Sequence, residues 1–128
     1  MIDFHILKEL IAAGNEICLP VKGTSMHPFL ENERDSVYAK KPVFPLKKGD
    51  IAFFENDLGR VIMHRICRIT EDRYYFCGDA MNTPEGPVSD AQIFAVVSKV
   101  IRNGKELSEN SLVALFFKFR ANLKNQLR

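Results

Sequence analysis

A β-hairpin is predicted by residues 60–77, RVIMHRICRITEDRYYFC, and this hairpin decides the fold class. Arg60 to Ile69 is rich in β-branched residues, which favour strands, and Thr70–Asp72 supplies the polar residues of a tight turn. Arg73–Cys77 continues with aromatic residues that are typical of a second strand. His64 interrupts the apolar start of the first strand, which makes it a candidate functional residue.

The flanking segments extend this hairpin into a mainly β core. Apolar residues at helical spacing predict a short helix over roughly residues 2–13, with Gly14 as its C-cap. Further strands are predicted at residues 16–22, 35–40, 51–54 and 93–102. Residues 78–87 contain two glycines and two prolines, which predicts a loop. The chain is therefore expected to form a single domain, 1–128, with a β core at about 16–103.

Length and composition exclude several functional classes. With 128 residues, 46% of them apolar, the chain can bury a core without help from a metal or a disulfide. The formal charge of +2 is too small to indicate nucleic-acid binding. Cys18, Cys67 and Cys77 form no C-x-x-C pair and no zinc-type spacing, so we expect reduced thiols, no metal and no cofactor.

The two ends of the chain bear on localisation. Charged residues near the N-terminus interrupt any secretory signal, and no apolar run approaches the ~18–20 residues that span a bilayer. A C-terminal amphipathic helix is predicted over about 108–127, with basic residues beside its apolar face. It either packs on the β core or lies on an anionic membrane surface. We therefore expect a cytoplasmic or peripherally membrane-associated protein.

A serine lies on a tight turn in the segment GTSMHP, residues 23–28. The simplest interpretation is a turn serine that hydrogen-bonds its own backbone. The alternative is a nucleophile, with Ser25 placed so that its backbone amide faces a developing oxyanion. The rest of the turn would then contact substrate and oxyanion, through Gly23, Thr24, Met26 and Pro28.

A nucleophilic serine needs a base and a group that orients the base. His64 is the favoured base, because a neutral imidazole accepts a proton near pH 7. His27 is the rival in the serine turn, and His5 is the weakest candidate. Either Asp79 or Asp90, both in the region after the hairpin, is expected to hold the Nδ1 proton of the base.

Two further polar residues have simpler roles. Asp50 is expected to form a turn after Gly49. Arg65 either binds an acidic group of the substrate or pairs with a loop carboxylate and holds the hairpin, and the structural role is favoured.

A resemblance to the signal peptidase I family extends over roughly residues 20–101. It rests on the ordered segments GTSMHP, KKGDIAFF, HRI, GDAMNTP and SD. The resemblance implies a β-rich catalytic fold like that of signal peptidases and SOS repressors, with Ser25 as nucleophile. Because His64 stands where most bacterial members have a lysine, the chain resembles the Ser–His branch of the endoplasmic reticulum, archaea and some Gram-positive bacteria. In that branch an acidic residue after the G-D motif completes the site, which maps best onto Asp90, with Asp79 second.

The chain departs from the family pattern at three places. A short amphipathic helix takes the place of the usual transmembrane anchor before the serine. Gly23 replaces a serine that often assists the oxyanion hole, and Ala80 replaces the asparagine after the G-D pair. Processing of secretory preproteins is therefore less strongly implied than peptide hydrolysis.

Three functions remain open from the sequence. The leading hypothesis is a serine endopeptidase that cuts a leader or signal-type peptide after small residues. The second is a self-cleaving domain like that of the SOS repressors, which share the G-x-S-M motif, with Ala13-Gly14 as the bond cleaved. The third is a non-catalytic module that binds a peptide along a strand edge.

Overall fold

A computed structural model describes residues 3–107 of the chain. The helix predicted at about 108–127 lies outside the described residues. The elements are, in chain order, helix α1 (Phe4–Ala12), strands β1 (Ile17–Pro20), β2 (Asp35–Lys40), β3 (Ile51–Glu55), β4 (Val61–Thr70), β5 (Arg73–Cys77) and β6 (Glu85–Val88), a 3-10 helix (Asp90–Gln92), and strands β7 (Ile93–Arg102) and β8 (Lys105–Glu106). The predicted mainly β class is confirmed, and the first helix and the six predicted strands form close to the expected positions.

All the strands belong to one antiparallel sheet in the order β1-β2-β7-β3-β4-β5-β6, and β8 pairs with β7. The ten-residue strand β7 lies between β2 and β3 and pairs with each along a different part of its length. The predicted hairpin of β4 and β5 forms, with Thr70 opposite Arg73 beside the turn.

The apolar residues form two clusters, and the central strands β3 and β7 contribute side chains to both of them. One cluster contains Leu7 and Ile11 of α1, packed with apolar residues of β1, β2, β3 and β7 and of the segment between β1 and β2. The other cluster lies under β3 to β6, where the rings of Phe54 and Phe76 are 4.4 Å apart. The helix is held to the first cluster by its apolar face, and Asp3 caps its N-terminus by accepting from the N–H of His5.

The segment 78–87 differs from the prediction, because its last part forms the edge strand β6. Glu85 lies opposite Phe76 and Val88 lies opposite Tyr74. A proline is tolerated there because an edge strand needs only half of its backbone hydrogen bonds for the sheet. Gly86 has a φ of 148°, and a Cβ at this position would lie 2.8 Å from the carbonyl oxygen of Tyr74. The glycine and the proline that predicted a loop are therefore features of this edge strand.

A buried carboxylate anchors the long connection between β1 and β2. Asp35 accepts hydrogen bonds from Arg34 and Arg102, and both guanidinium groups also donate to the carbonyl oxygen of Phe29. Burial would raise the pKa of Asp35, but the hydrogen bonds from Arg102, Arg34 and the N–H of Glu31 outweigh burial and lower it. This cluster fixes the end of the segment that contains Ser25.

No helix within residues 3–107 has the length and apolar character needed to cross a membrane.

Candidate active site

The predicted serine turn is closed by its own backbone. The N–H of His27 donates to the carbonyl oxygen of Thr24 over 3.1 Å, and the N–H of Leu30 donates to that of Met26 over 2.9 Å. Met26 is 2% exposed and belongs to the core, so it supports the turn from below and offers no side-chain surface to a substrate. Ser25 itself is half-buried at the surface of the turn.

The serine turn is joined to the segment after β5. The N–H of Ala80 donates to the carbonyl oxygen of Ser25 over 2.9 Å. A Cβ added to Gly78 would lie 2.6 Å from that oxygen and 3.1 Å from Nε2 of His64. Glycine therefore allows the serine turn and the imidazole to converge on one point, which brings the two predicted residues together.

His64 has a carboxylate partner on the side of the ring away from the serine turn. Its Nδ1 atom makes a close contact with Oε1 of Glu85. The His64 side chain is 9% exposed, and that of Glu85 is 35% exposed. A carboxylate at Nδ1 fixes the proton on that nitrogen, so Nε2, the atom next to Gly78, is the one free to accept a proton.

The structure corrects the prediction that Asp79 or Asp90 orients His64. Asp79 accepts two hydrogen bonds of 2.8 Å from Nε and Nη2 of Arg65, which occupy both of its oxygens. Asp90 is exposed at the start of the 3-10 helix. The carboxylate that contacts Nδ1 of His64 belongs instead to Glu85. Glu85 is also an acidic residue after the G-D pair, but only the pairing of β6 with β5, which no local pattern contains, brings it to the imidazole.

The same geometry supports the structural role of Arg65. Besides Asp79, its Nη1 atom donates to the carbonyl oxygen of Gly49 over 2.9 Å, and its guanidinium carbon lies 4.8 Å from the centre of the Phe29 ring. The prediction that Arg65 pairs with a loop carboxylate is confirmed. The predicted turn role of Asp50 is also confirmed, since its carboxylate accepts from the N–H of Lys47.

The other predicted residues lie around this centre with less direct roles. Gly23, Thr24 and Pro28 are exposed in the serine turn. His5 lies on the exposed face of α1, 3.3 Å from Glu9. His64 lines a cavity beside Ser25, whereas His27 does not.

A cavity of about 330 Å³ opens beside Ser25 and His64. Most of its wall is apolar and comes from α1 and the first four strands. The other lining residues are Phe4, Leu19, Pro20, Lys22, Val37, Phe53, Val61, Ile62 and Met63. A cavity of this size and polarity can admit an apolar part of a ligand.

One strand next to the cavity has an unpaired edge. β4 pairs with β3 from Val61 onward, but its pairing with β5 begins only at Arg65. Val61–Met63 therefore has no strand on its second side within residues 3–107. An extended peptide can hydrogen-bond to such an edge, with alternate side chains directed to the sheet.

The hydrogen bonds of residues 3–107 do not include one between Oγ of Ser25 and His64. Hydrogen bonds between catalytic groups often shorten only when substrate binds. No group of three metal-ligating side chains occurs in this part of the chain. The chain matches no protein-family model, no curated protein and no solved structure.

Proposed function

We propose that this protein is a serine peptidase with Ser25 as nucleophile, His64 as general base and Glu85 as the residue that orients the base. The observation that carries the proposal is the position of the imidazole. Its Nδ1 contacts Glu85, while Nε2 points to the place where Gly78 and the serine turn meet. A histidine held in this way has the correct nitrogen available for a serine hydroxyl.

In the proposed reaction His64 first takes the proton of the serine hydroxyl and then gives it to the leaving amine. Nε2 of His64 takes the proton of Oγ of Ser25 as this oxygen attacks the peptide carbonyl carbon, and Glu85 stabilises the imidazolium. The imidazolium then gives the proton to the leaving amine as the C–N bond breaks, which leaves an ester on Ser25. Water, deprotonated by the same imidazole, hydrolyses the ester and restores the serine.

The proposed substrate is a peptide bound in extended form. The unpaired edge at Val61–Met63 would hold its backbone, and the adjacent apolar cavity would hold a small side chain. The resemblance to signal peptidase I supports a leader or signal-type peptide cut after small residues.

A fluorophosphonate, detected by intact mass, tests the site without knowledge of the substrate. We expect the wild type to gain one adduct and Ser25→Ala to gain none. We expect His64→Ala to react about 10³-fold more slowly, because the two residues act as one unit. Ser36→Ala, a serine of β2, is the control and should react like the wild type. Folded wild-type protein that forms no adduct would contradict an activated serine.

A second candidate function is a module that binds peptides without cleaving them. The observation that favours it is the unpaired edge at Val61–Met63, because a strand edge can bind an extended peptide without any chemistry. The cavity and the strand edge would be used in the same way. Peptide binding that is equal in the wild type and Ser25→Ala, without adduct formation or turnover in the wild type, would select this function.

The self-cleaving alternative has little support from the position of the Ala13-Gly14 bond. Both residues cap α1, where the N–H of Ala13 donates to Glu9 and that of Gly14 donates to Ile11. A peptide bond must be extended to bind along a strand edge, and this one is held in a helical turn.

A further inference from the structure

The connection from β2 to β3 carries exposed lysines on both sides of an exposed apolar tip. Residues 40–48 read KKPVFPLKK, and we call them the lysine loop. The loop contains four lysines, all exposed, and no acidic residue. Val43 at the tip is 82% exposed, more than any other large apolar side chain described between residues 3 and 107.

The rest of the lysine loop is fixed to the sheet. Leu46 is 6% exposed, and its N–H donates to the hydroxyl of Tyr74 over 3.0 Å. The ring of Phe44 lies 6.4 Å from that of Tyr74, and the N–H of Lys47 donates to Asp50 over 2.9 Å. The loop therefore presents Val43 to solvent from an ordered base, and the exposure of this valine does not result from an unattached segment.

Between residues 3 and 107, the lysines of the loop have no counter-charge. Within the described part of the chain none of the four ammonium groups pairs with a carboxylate. Lys47 and Lys48 also line an open cleft of about 280 Å³ together with Lys99 of β7, whose ammonium group lies 3.8 Å from the carboxylate of Glu16. The cleft contains one acidic residue, Asp50, whose carboxylate is bonded to the backbone of Lys47. Its net charge is positive, which favours a ligand with phosphate groups.

We propose that the lysine loop docks this protein on an anionic lipid bilayer. Val43 and the exposed edge of Phe44 enter the interfacial region, and the four lysines contact lipid phosphates around them. An apolar tip between cations matches a surface in which a layer of negative charge covers an apolar interior. An acidic protein surface would complement the lysines but would leave the apolar tip against charged groups. The proposal does not depend on the chemistry at Ser25.

Co-sedimentation of the full chain with vesicles tests the proposal. We expect binding to vesicles of phosphatidylglycerol and phosphatidylcholine and little binding to phosphatidylcholine alone. Val43→Ser should weaken binding several-fold, whereas Leu58→Ser should not, although Leu58 is 78% exposed. Lys47→Gln/Lys48→Gln should weaken binding about 30-fold, from the attraction of each lysine to an anionic surface. Arg60→Gln/Lys105→Gln removes the same charge elsewhere and should have a smaller effect.

The outcomes separate this surface from other contacts. Ser25→Ala should bind vesicles like the wild type, so an inactive peptidase site would leave the result unchanged. Vesicle binding that is equal in the wild type, Val43→Ser and Lys47→Gln/Lys48→Gln would overturn the proposal and assign the contact to another segment. Absence of binding to anionic vesicles would overturn it as well, as would equal effects of Val43→Ser and Leu58→Ser.

Discussion

His64 and Arg65 are consecutive residues of β4, and each contacts a carboxylate from the segment that follows β5. The pair of Arg65 and Asp79 is bidentate and nearly closed to solvent, with side chains 8% and 1% exposed. The pair of His64 and Glu85 has one contact, and the Glu85 side chain is 35% exposed. The first pair joins a guanidinium to a carboxylate through two hydrogen bonds, whereas the second contains an imidazole, the side chain best suited to act as a base. Two neighbouring positions thus combine one pair suited to fixing the backbone with one suited to moving a proton.

The buried pair, Arg65 and Asp79, supports the site through the backbone. Asp79 follows Gly78, whose lack of a side chain admits both the carbonyl oxygen of Ser25 and Nε2 of His64. The next residue, Ala80, donates its N–H to that same oxygen. Because Arg65 holds Asp79 from β4, the same strand determines the position of His64 and of the turn it faces. We therefore assign Arg65 and Asp79 as positioning residues.

The largest expected effect comes from breaking the buried pair. Asp79→Asn leaves the charge of Arg65 without its buried partner, and we expect a loss of about 3–5 kcal/mol in the free energy of unfolding. Urea denaturation measures this loss in the free energy of unfolding. Asp90→Asn, at an exposed site, is the control and should change the free energy by less than about 0.5 kcal/mol.

Two results would argue against this role of the buried pair. One is a loss in Asp79→Asn no greater than that in Asp90→Asn. The other is a double variant, Arg65→Met/Asp79→Leu, that is less stable than Asp79→Asn. Replacing both charges removes the unpaired ion, so we expect the double variant to be the more stable of the two.

The pair of His64 and Glu85 should affect turnover more than stability. In Glu85→Gln we expect the rate of fluorophosphonate labelling, and kcat on any peptide substrate, to fall about 10²-fold, with KM nearly unchanged. The amide no longer stabilises the imidazolium, but the partly exposed side chain contributes little to folding. The free energy of unfolding of Glu85→Gln should stay within about 1 kcal/mol of that of the wild type. Full activity in Glu85→Gln together with a loss in Asp90→Asn would return the orienting role to Asp90.

The sequence predicted the parts of the molecule that depend on local pattern. The alternation and β-branched residues of β4, and the spacing of apolar residues in α1, are set within a few neighbours along the chain. The convergence of Ser25 and His64 was expected only as a hypothesis, and the structure places both at one cavity. The choice among acidic residues depended on strand pairing that no local pattern contains. Glu85 faces His64 because β6 pairs with β5, and the glycine and proline of that edge strand predicted a loop.

Cys77 lies close to both pairs, because the charges of Asp79 and Glu85 both act on its thiol. It is the register partner of Arg65 on β5, and its thiol donates to the carbonyl oxygen of Met81 over 3.1 Å. Burial raises the pKa of this thiol to about 11, and the nearby Cys67 and the charges of Asp79 and Glu85 add to that effect. A thiol with so high a pKa holds very little reactive thiolate near pH 8.

The smallest expected effect is therefore a change in the alkylation of Cys77. With iodoacetamide at pH 8, the exposed Cys18 should react first and Cys77 at less than about one hundredth of its rate. Glu85→Gln removes one negative charge, which lowers the pKa of Cys77 and should raise its rate a few-fold. Asp79→Asn removes a charge and also loosens the turn that covers the thiol, so its rate should rise further. Peptide mass spectrometry measures both rates, and equal increases would mean that the Asp79 pair acts on this turn through charge alone.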